Sequence, residues 1–458
     1  MTMKNNPYLL LRFSLFLLLF ALVLGVLIAF AYFKKDLWGA YFPFEKLRPM
    51  HVSSAIFWIL SAAQGLVFYF TKEHFKELSK REWLIKVSQG LWMGSIVWAL
   101  ASFLFGEYGG REYWEYPPII NLPILLSWLC FAAYLYPVVF AKFRSQPVYV
   151  WLWSTGTLFF ILSFIESNLW MLPWFRENFI RDITVQWKAN GAIVGAWNQL
   201  IYGLVFYLMT RISGKEDSAR SWQAFFFYFL GMANLMFNWG HHTYNVPAAS
   251  WVRHVAYAIS MTEWVFLLNM LYSFRKKLTH AKKLANWVSY HFISAAEVWI
   301  FLNLLLALAM SIPAINRYTH GTHIVVAHAM GTTIGINSMI LFGALFYIAE
   351  RSHATLLARF RKWIRAGFLI SNISMFVFWL GLIAAGVVKA RLMIGENQPF
   401  QVAMKAAKPY LLGFSYAGIG LLIGFGLCAI LLLRLLRPAH ISQVHQHEPD
   451  QNKHSNQE

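Results

Sequence analysis

Several side chains able to hold a metal or a heme sit inside apolar stretches of this chain, where such groups are scarce. The run T-H-G-T-H-I-V-V-A-H-A-M, Thr319 to Met330, opens an apolar segment that continues through Ile340 and Leu345 to Ile348 and carries His328 deepest of its histidines. G-H-H at Gly240, His241 and His242 closes a second apolar run, and R-P-M-H at Arg48 to His51 opens a third. Ionisable groups at membrane depth are costly and are retained chiefly for a site inside a bundle. A lone histidine there serves as often to hydrogen-bond neighbouring helices, but imidazoles drawn from separate runs point to metal or heme chemistry. His328 and Met330 lie two positions apart, which at 3.6 residues per turn separates their directions by about 200°. Such a pair faces opposite ways and can hold two hemes on the two sides of one helix, with Met330 as a core methionine the competing reading.

The elements that position these residues are membrane helices. The chain has 458 residues, 58% hydrophobic, 18% aromatic and only 13% charged, too apolar for a soluble protein of this size. Apolar segments of spanning length fall near residues 13–33, 50–70, 88–105, 119–139, 148–164, 192–209, 225–239, 255–271, 293–310, 323–348, 364–388 and 411–433. Each is close to the roughly 20 residues a bilayer requires, so the reading is all-α, a polytopic bundle of about twelve transmembrane helices. The first run is too long, and lacks the small-residue cleavage pattern, for a removable signal peptide; it reads as a retained helix. Cys130 and Cys428 both lie in apolar runs, which excludes a disulfide framework or a zinc cluster, and without C-x-x-C-H any heme is non-covalent. The net charge of +19 collects in loops, as topology and lipid contact require, and does not call for nucleic acid. Lys72, Lys76, Lys80, Arg81, Lys142, Arg144, Arg211, Lys215, Arg220, the basic residues from Arg275 to Lys283 and those from Arg351 to Arg365 share one side, which puts both termini in the cytoplasm. Residues 1–440 form the heme-binding membrane domain, and 441–458, rich in His, Gln and Asn, form a disordered cytoplasmic tail.

Taken together, T-H-G-T-H-I-V-V-A-H-A-M, the G-H-H ending a helix, the histidine of R-P-M-H and G-R-E-Y at Gly110 to Tyr113 resemble the catalytic subunit of cytochrome c-dependent nitric oxide reductase, in the heme-copper oxidase superfamily. The resemblance runs in order over nearly all the helices, and T-H-G-T-H with G-H-H carries its specificity. It implies a low-spin heme b that relays electrons, beside a high-spin heme b facing a non-heme iron where NO becomes N2O. It implies that His51 is one axial ligand of the low-spin heme, His328 the proximal ligand of the high-spin heme, and His241 and His242 ligands of the iron. Adjacent histidines of a regular helix diverge by about 100°, so both serve one metal only if the helix changes geometry there. Glu263 matches an acid near the catalytic pocket, and Glu112 a carboxylate ligand of a structural calcium at the outer surface, with Glu115 a nearby acid. For both loop acids an ordinary solvated charge is the alternative.

This sequence also departs from that pattern. Asn190 stands where the family has its first iron histidine, Val194 replaces a glutamate one turn later, and Asn198 replaces a third acid. An amide oxygen is a poor ligand beside imidazole or carboxylate, so the iron is weakly held, exchanged for another metal, or lost. Met330 occupies the place of the second low-spin histidine, and a His51/Met330 heme has a raised potential. The resemblance therefore leaves several functions open: NO reduction, NO dismutation, and a non-catalytic heme subunit for electron relay or gas sensing. Oxygen reduction of the C-type oxidase kind lacks a tyrosine placed to pair covalently with histidine. The implied setting is the bacterial inner membrane; with no C-x-x-C-H for heme c, electrons come either from a membrane-anchored cytochrome c subunit docking on the outer face or from a quinol site that no motif marks.

Overall fold

The structure is a computed structural model, and it describes residues 7–31, 33, 37–39, 42–75, 81–247, 249–262 and 285–437. Among the described residues, 10 helices are long and apolar enough to cross a membrane. They include α1 (Leu9–Ala31), α2 (Phe44–His74), α3 (Glu82–Leu104), α4 (Asn121–Ala141), α5 (Val148–Glu166) and α6 (Phe179–Ser213). α7 (Trp222–Phe237) is shorter and runs into a 3-10 turn, Asn238–Thr243. α8 (Trp287–Ser311) follows, and the segment His323–Ser352 is built from α9 (His323–Met330), a π-helical stretch Gly331–Ser338 and α10 (Met339–Ser352). α11 (Arg361–Ala390) and α12 (Phe400–Leu435) complete the bundle. The span expected near 255–271 is helical over 250–262; its remainder, with Glu263, lies outside the described residues, as does the tail.

Local chemistry sets the ends of the helices that carry the site. Asn178 caps α6 by accepting from the Arg181 amide at 3.0 Å, Ser221 caps α7 through the Ala224 amide at 3.3 Å, and Thr322 caps α9 through the Ile324 amide at 3.2 Å. In α2, Pro49 cannot donate to the carbonyl one turn back. That carbonyl, of Glu45, takes the Tyr108 hydroxyl instead, at 3.5 Å. α6 starts well before the expected 192, because Arg181 to Asn190 is too polar to register as membrane sequence. The Asn178 cap, the Arg111–Asp182 ion pair at 2.8 Å and the Lys188–Glu166 pair hold that extension helical.

Small residues let the helices approach. α11 and α12 pair closely where Gly424 faces Ser371 and Gly420 faces Ser374, positions at which an added Cβ would strike the serine hydroxyl. Such contacts replace the hydrophobic driving force that lipid removes. The charged loops sort to two ends. Lys72 pairs with Glu82 at 2.6 Å, Arg351 with Glu73 at 2.7 Å, and Arg220 donates to the Ser145 carbonyl, so the described basic loops share one end, while Lys76, Lys80 and the basic residues from Arg275 to Lys283 lie outside the described residues. The opposite end, called outer below, carries the loops around Arg111, Asp182 and Gly321.

Candidate heme and metal centre

α6, the end of α7 with its 3-10 turn, α8 and α9 enclose a cavity of about 1290 Å³, counting its open mouth. His328 of α9 lines it, and so do His241 and His242. The chain leaves α geometry at Asn238, as the adjacent histidines require, but it does so by tightening to a 3-10 helix. Their rings come to 4.2 Å between centroids, 42° apart in plane. His242 stacks on Trp187 at 4.9 Å and 8°, and His241 Nδ1 meets Asn238 Oδ1 at 3.0 Å. That second contact fixes one ring nitrogen and frees the other. Asn238 is itself held by the Ser260 hydroxyl.

Asn190, Val194 and Asn198 all line this cavity, one turn apart on α6. The departures from the family pattern thus fall on one face. Asn190 Oδ1 accepts from Gln186 Nε2 at 3.1 Å, while its Nδ2 is buried without a hydrogen bond. Asn198 Oδ1 accepts from Asn337 Nδ2 at 3.2 Å. Among the described residues no acidic side chain lines the cavity, and no group of three or more His, Cys, Asp or Glu gathers that could hold a metal ion. Two neutral imidazoles and amides whose oxygens are already engaged do not fit a tightly bound divalent ion.

A heme on His328 fits better. The ring lines the same cavity as the two other histidines, and its Nδ1 is buried without a partner. Asn303 of α8 holds the backbone there, donating from Nδ2 to the His328 carbonyl at 3.1 Å and sharing a bond with the Thr332 hydroxyl at 2.9 Å. Gly331 is required at that junction, since a Cβ would overlap Asn303 Oδ1. The π-helical stretch begins there, directly after Met330. Such stretches favour functional sites.

Met330 does not line the cavity; it packs against the core on the other face of α9, as the 200° separation requires. α2 meets the end of the π-helical stretch, where Trp58 Nε1 donates to Ser338 Oγ at 3.0 Å. His51 is seven residues before Trp58, about two α turns toward the outer end, and Met330 precedes Ser338 by the length of the π-helical stretch, also toward the outer end. His51 Nδ1 reaches the Ala21 carbonyl at 2.9 Å, which makes Nδ1 the donor and leaves Nε2 free as a ligand. Both residues thus lie on the outer side of the Trp58–Ser338 contact.

Glu112 and Glu115 come together at the outer surface on Arg48, at 3.4 Å and 2.5 Å. Calcium takes six or more oxygens and would have to displace the guanidinium that already bridges both carboxylates, so the pair does not fit it as it stands. Burial, with Glu115 adding and Arg48 opposing, raises the Glu112 carboxyl above its usual range.

Sequence reasoning missed Tyr113, Tyr202, Trp187, Asn303 and His320, all of which line the cavity. Tyr202 continues the four-residue spacing of 190, 194 and 198, a signal that was available. The two tyrosines lie far apart: Tyr113 is tied to the level of Asp182 through Arg111, and Tyr202 stands about 22 Å below Trp187 at 1.5 Å per residue. Asn190, where a histidine would be needed, lies about 18 Å above Tyr202 by the same rise, so no His–Tyr pair arises on α6.

Against known proteins, the chain is 23% identical to a nitric oxide reductase chain of Stutzerimonas stutzeri over 414 residues, 82% of each. It is 22% identical to a cytochrome c oxidase subunit 1 homolog of Agrobacterium tumefaciens (strain T37) over 72% of this chain and 63% of that one, and 21% identical to cytochrome c oxidase subunit 1 of Rhodobacter capsulatus over 80% of this chain and 69% of that one. A heme-copper terminal oxidase dimer solved by cryo-electron microscopy superposes with a TM-score of 0.66 at 14% identity, covering 95% of this chain and 85% of the other. With residues 8–419 matching the cytochrome c and quinol oxidase polypeptide I family, the chain belongs to that family and is a membrane oxidoreductase of the heme-copper oxidase superfamily.

Proposed function

We propose that this protein reduces nitric oxide to nitrous oxide, 2 NO + 2 e⁻ + 2 H⁺ giving N2O and H2O. The observation that carries the reading is that His328, His241 and His242 line one cavity while Met330, two residues on, lies outside it and packs against the core. His51 and Met330 would hold a low-spin heme b that relays electrons, and His328 a high-spin heme b at which NO binds. Heme supplies the redox chemistry when bound. The chain's own part is to fix the His328 backbone through Asn303, to offer neutral imidazole and amide groups to a small uncharged substrate, and to exclude bulk water. His241 and His242, with Asn190 beside them, would hold a non-heme iron only weakly. Glu263, three residues past the cavity-lining Ser260, would deliver protons, and Glu112 would serve calcium only where Arg48 gives way.

The similarity to the Stutzerimonas stutzeri nitric oxide reductase chain supports this choice over oxygen reduction, and the same relative motivates a membrane-anchored cytochrome c partner at the outer aromatic loops. The basic loops gathered at one end support a bacterial inner-membrane setting with cytoplasmic termini. NO dismutation is the second reading, favoured by Asn190. The test is anaerobic turnover of purified protein with isotopically labelled NO and a chemical reductant, with heme and iron quantified on the same sample. N2O as product supports reduction and N2 with O2 supports dismutation. Two hemes with no turnover of NO or O2 would replace both by electron relay or gas sensing.

A further inference from the structure

We propose that the Tyr113 ring is a plug that narrows the outer mouth of the cavity containing His241, His242 and His328, and that the loop from Gly109 to Pro118 is built to hold it there. Tyr113 is one of two described non-glycine residues with positive φ, at 76°, and it is the one that lines the cavity. A bulky residue in the left-handed region is strained, and such strain persists only where the surroundings over-determine it.

The surroundings do so on every side. The residue before it, Glu112, and the acid two after it, Glu115, are both held by Arg48 of α2. Arg111 pairs with Asp182 of α6 at 2.8 Å and lies over the Trp170 ring at 5.2 Å. Trp114 closes the turn by donating to the Arg111 carbonyl at 2.9 Å, and its own side chain, 2% exposed, packs edge-on against Phe164. Gly110 is needed too, because a Cβ there would overlap the Trp114 carbonyl oxygen. The loop is thus tied to α2, α5 and α6, and the one side chain it turns into the cavity is Tyr113. A neutral ring can narrow the mouth of an uncharged cavity without bringing a charge into it. What it excludes is water-borne solute from the outer side; diatomic gases have the lipid route.

The plug concerns access to the cavity and rests on the proposed function only for what it protects. The test uses Tyr113→Gly, which removes the ring and is at ease at positive φ, so folding is preserved, together with Tyr113→Phe, which keeps the ring and loses only the hydroxyl. Intact purified protein is treated with diethylpyrocarbonate, and the rate at which His241 and His242 are modified is read by mass spectrometry. The expected result is at least a tenfold faster modification in Tyr113→Gly and the parental rate in Tyr113→Phe. An unchanged rate in Tyr113→Gly, or Tyr113→Phe reacting as fast as Tyr113→Gly, overturns the plug. Cyanide binding to the oxidised protein is followed in parallel: faster histidine modification in a protein with no cyanide-binding heme upholds the plug and refutes the heme assigned to His328.

Discussion

Replacing Gly25 by alanine should retune the heme assigned to His51 without unfolding the protein. A Cβ on Gly25 would lie 2.9 Å from His51 Cε1 and 3.3 Å from Nδ1. Carbon atoms pack comfortably at about 3.5 to 4.0 Å, so the ring must give by roughly half an ångström. It cannot do so freely, because Nδ1 donates to the Ala21 carbonyl at 2.9 Å from the same helix, α1. A shift of that size stretches the bond past the usual range and forfeits up to about 0.5 to 1.5 kcal/mol. That hydrogen bond makes the imidazole a better donor to ferric iron, so losing it raises the potential, by at most about 60 mV for a one-electron couple. The assay is spectroelectrochemical titration of the low-spin band. Gly94→Ala is the control, since nothing lies within 4 Å of a Cβ there. A bound heme with unchanged potential and spectrum in Gly25→Ala would refute the argument that α1 orients this ligand.

Met330→His should lower the potential of the same heme and abolish the weak near-infrared sulfur-to-iron band of the oxidised form, because imidazole favours ferric iron more than a thioether does; magnetic circular dichroism reads the band. Glu112→Gln should raise the melting temperature at pH 7 and lose that advantage as the pH falls below the ordinary carboxylate range. The sign follows from a folded pKa raised by burial: the folded state favours the protonated acid, so ionisation costs stability as pH rises, and at low pH wild type and variant are alike. Asn190→His with Val194→Glu should raise bound iron severalfold by elemental analysis, with Val194→Glu alone outperforming Asn190→His alone. A natural protein that already holds a full equivalent of non-heme iron would refute that.

The parts of the fold legible in the sequence were those encoded locally. Spans such as 293–310 stand out by composition alone, and α8 extends that one by only a few residues. The opposite facing of His328 and Met330 follows from helical geometry and survives because α9 remains regular until Met330. The rest depends on contacts distant in sequence. The outer turns of α6 were hidden because Asp182 and Lys188 become tolerable only when Arg111 and Glu166 meet them. Arg48 and the loop acids are 64 and 67 residues apart, so their union could not be read from G-R-E-Y. Asn303 was unremarkable in sequence, one amide in a leucine-rich run, until the structure set it against the His328 carbonyl. The π-helical stretch has no compositional signature of its own.

The electrostatics of the cavity bear on which reaction it can support. A divalent ion in a low-dielectric interior needs charge compensation as well as lone pairs. The described walls offer imidazole, amide, hydroxyl and indole groups, all neutral, in the very positions where the family pattern would supply a histidine and acids. Swapping an acid for Val194 therefore removes more than a ligand; it removes the charge that would keep an ion there. An uncharged diatomic suffers no such penalty. The same walls that hold a cation poorly can receive NO, and the buried Asn190 Nδ2 and the hydroxyl and amide groups around it can hydrogen-bond to a polarised N–O unit. On the proposed function, gas binding at His328 would survive a weakly held second metal, whereas coupling two NO molecules would require a second group to stabilise the developing negative charge. In the proposed reaction that duty would fall to neutral dipoles, and turnover should accordingly depend more steeply on Asn190 than it would in a site that held a charged metal opposite the heme.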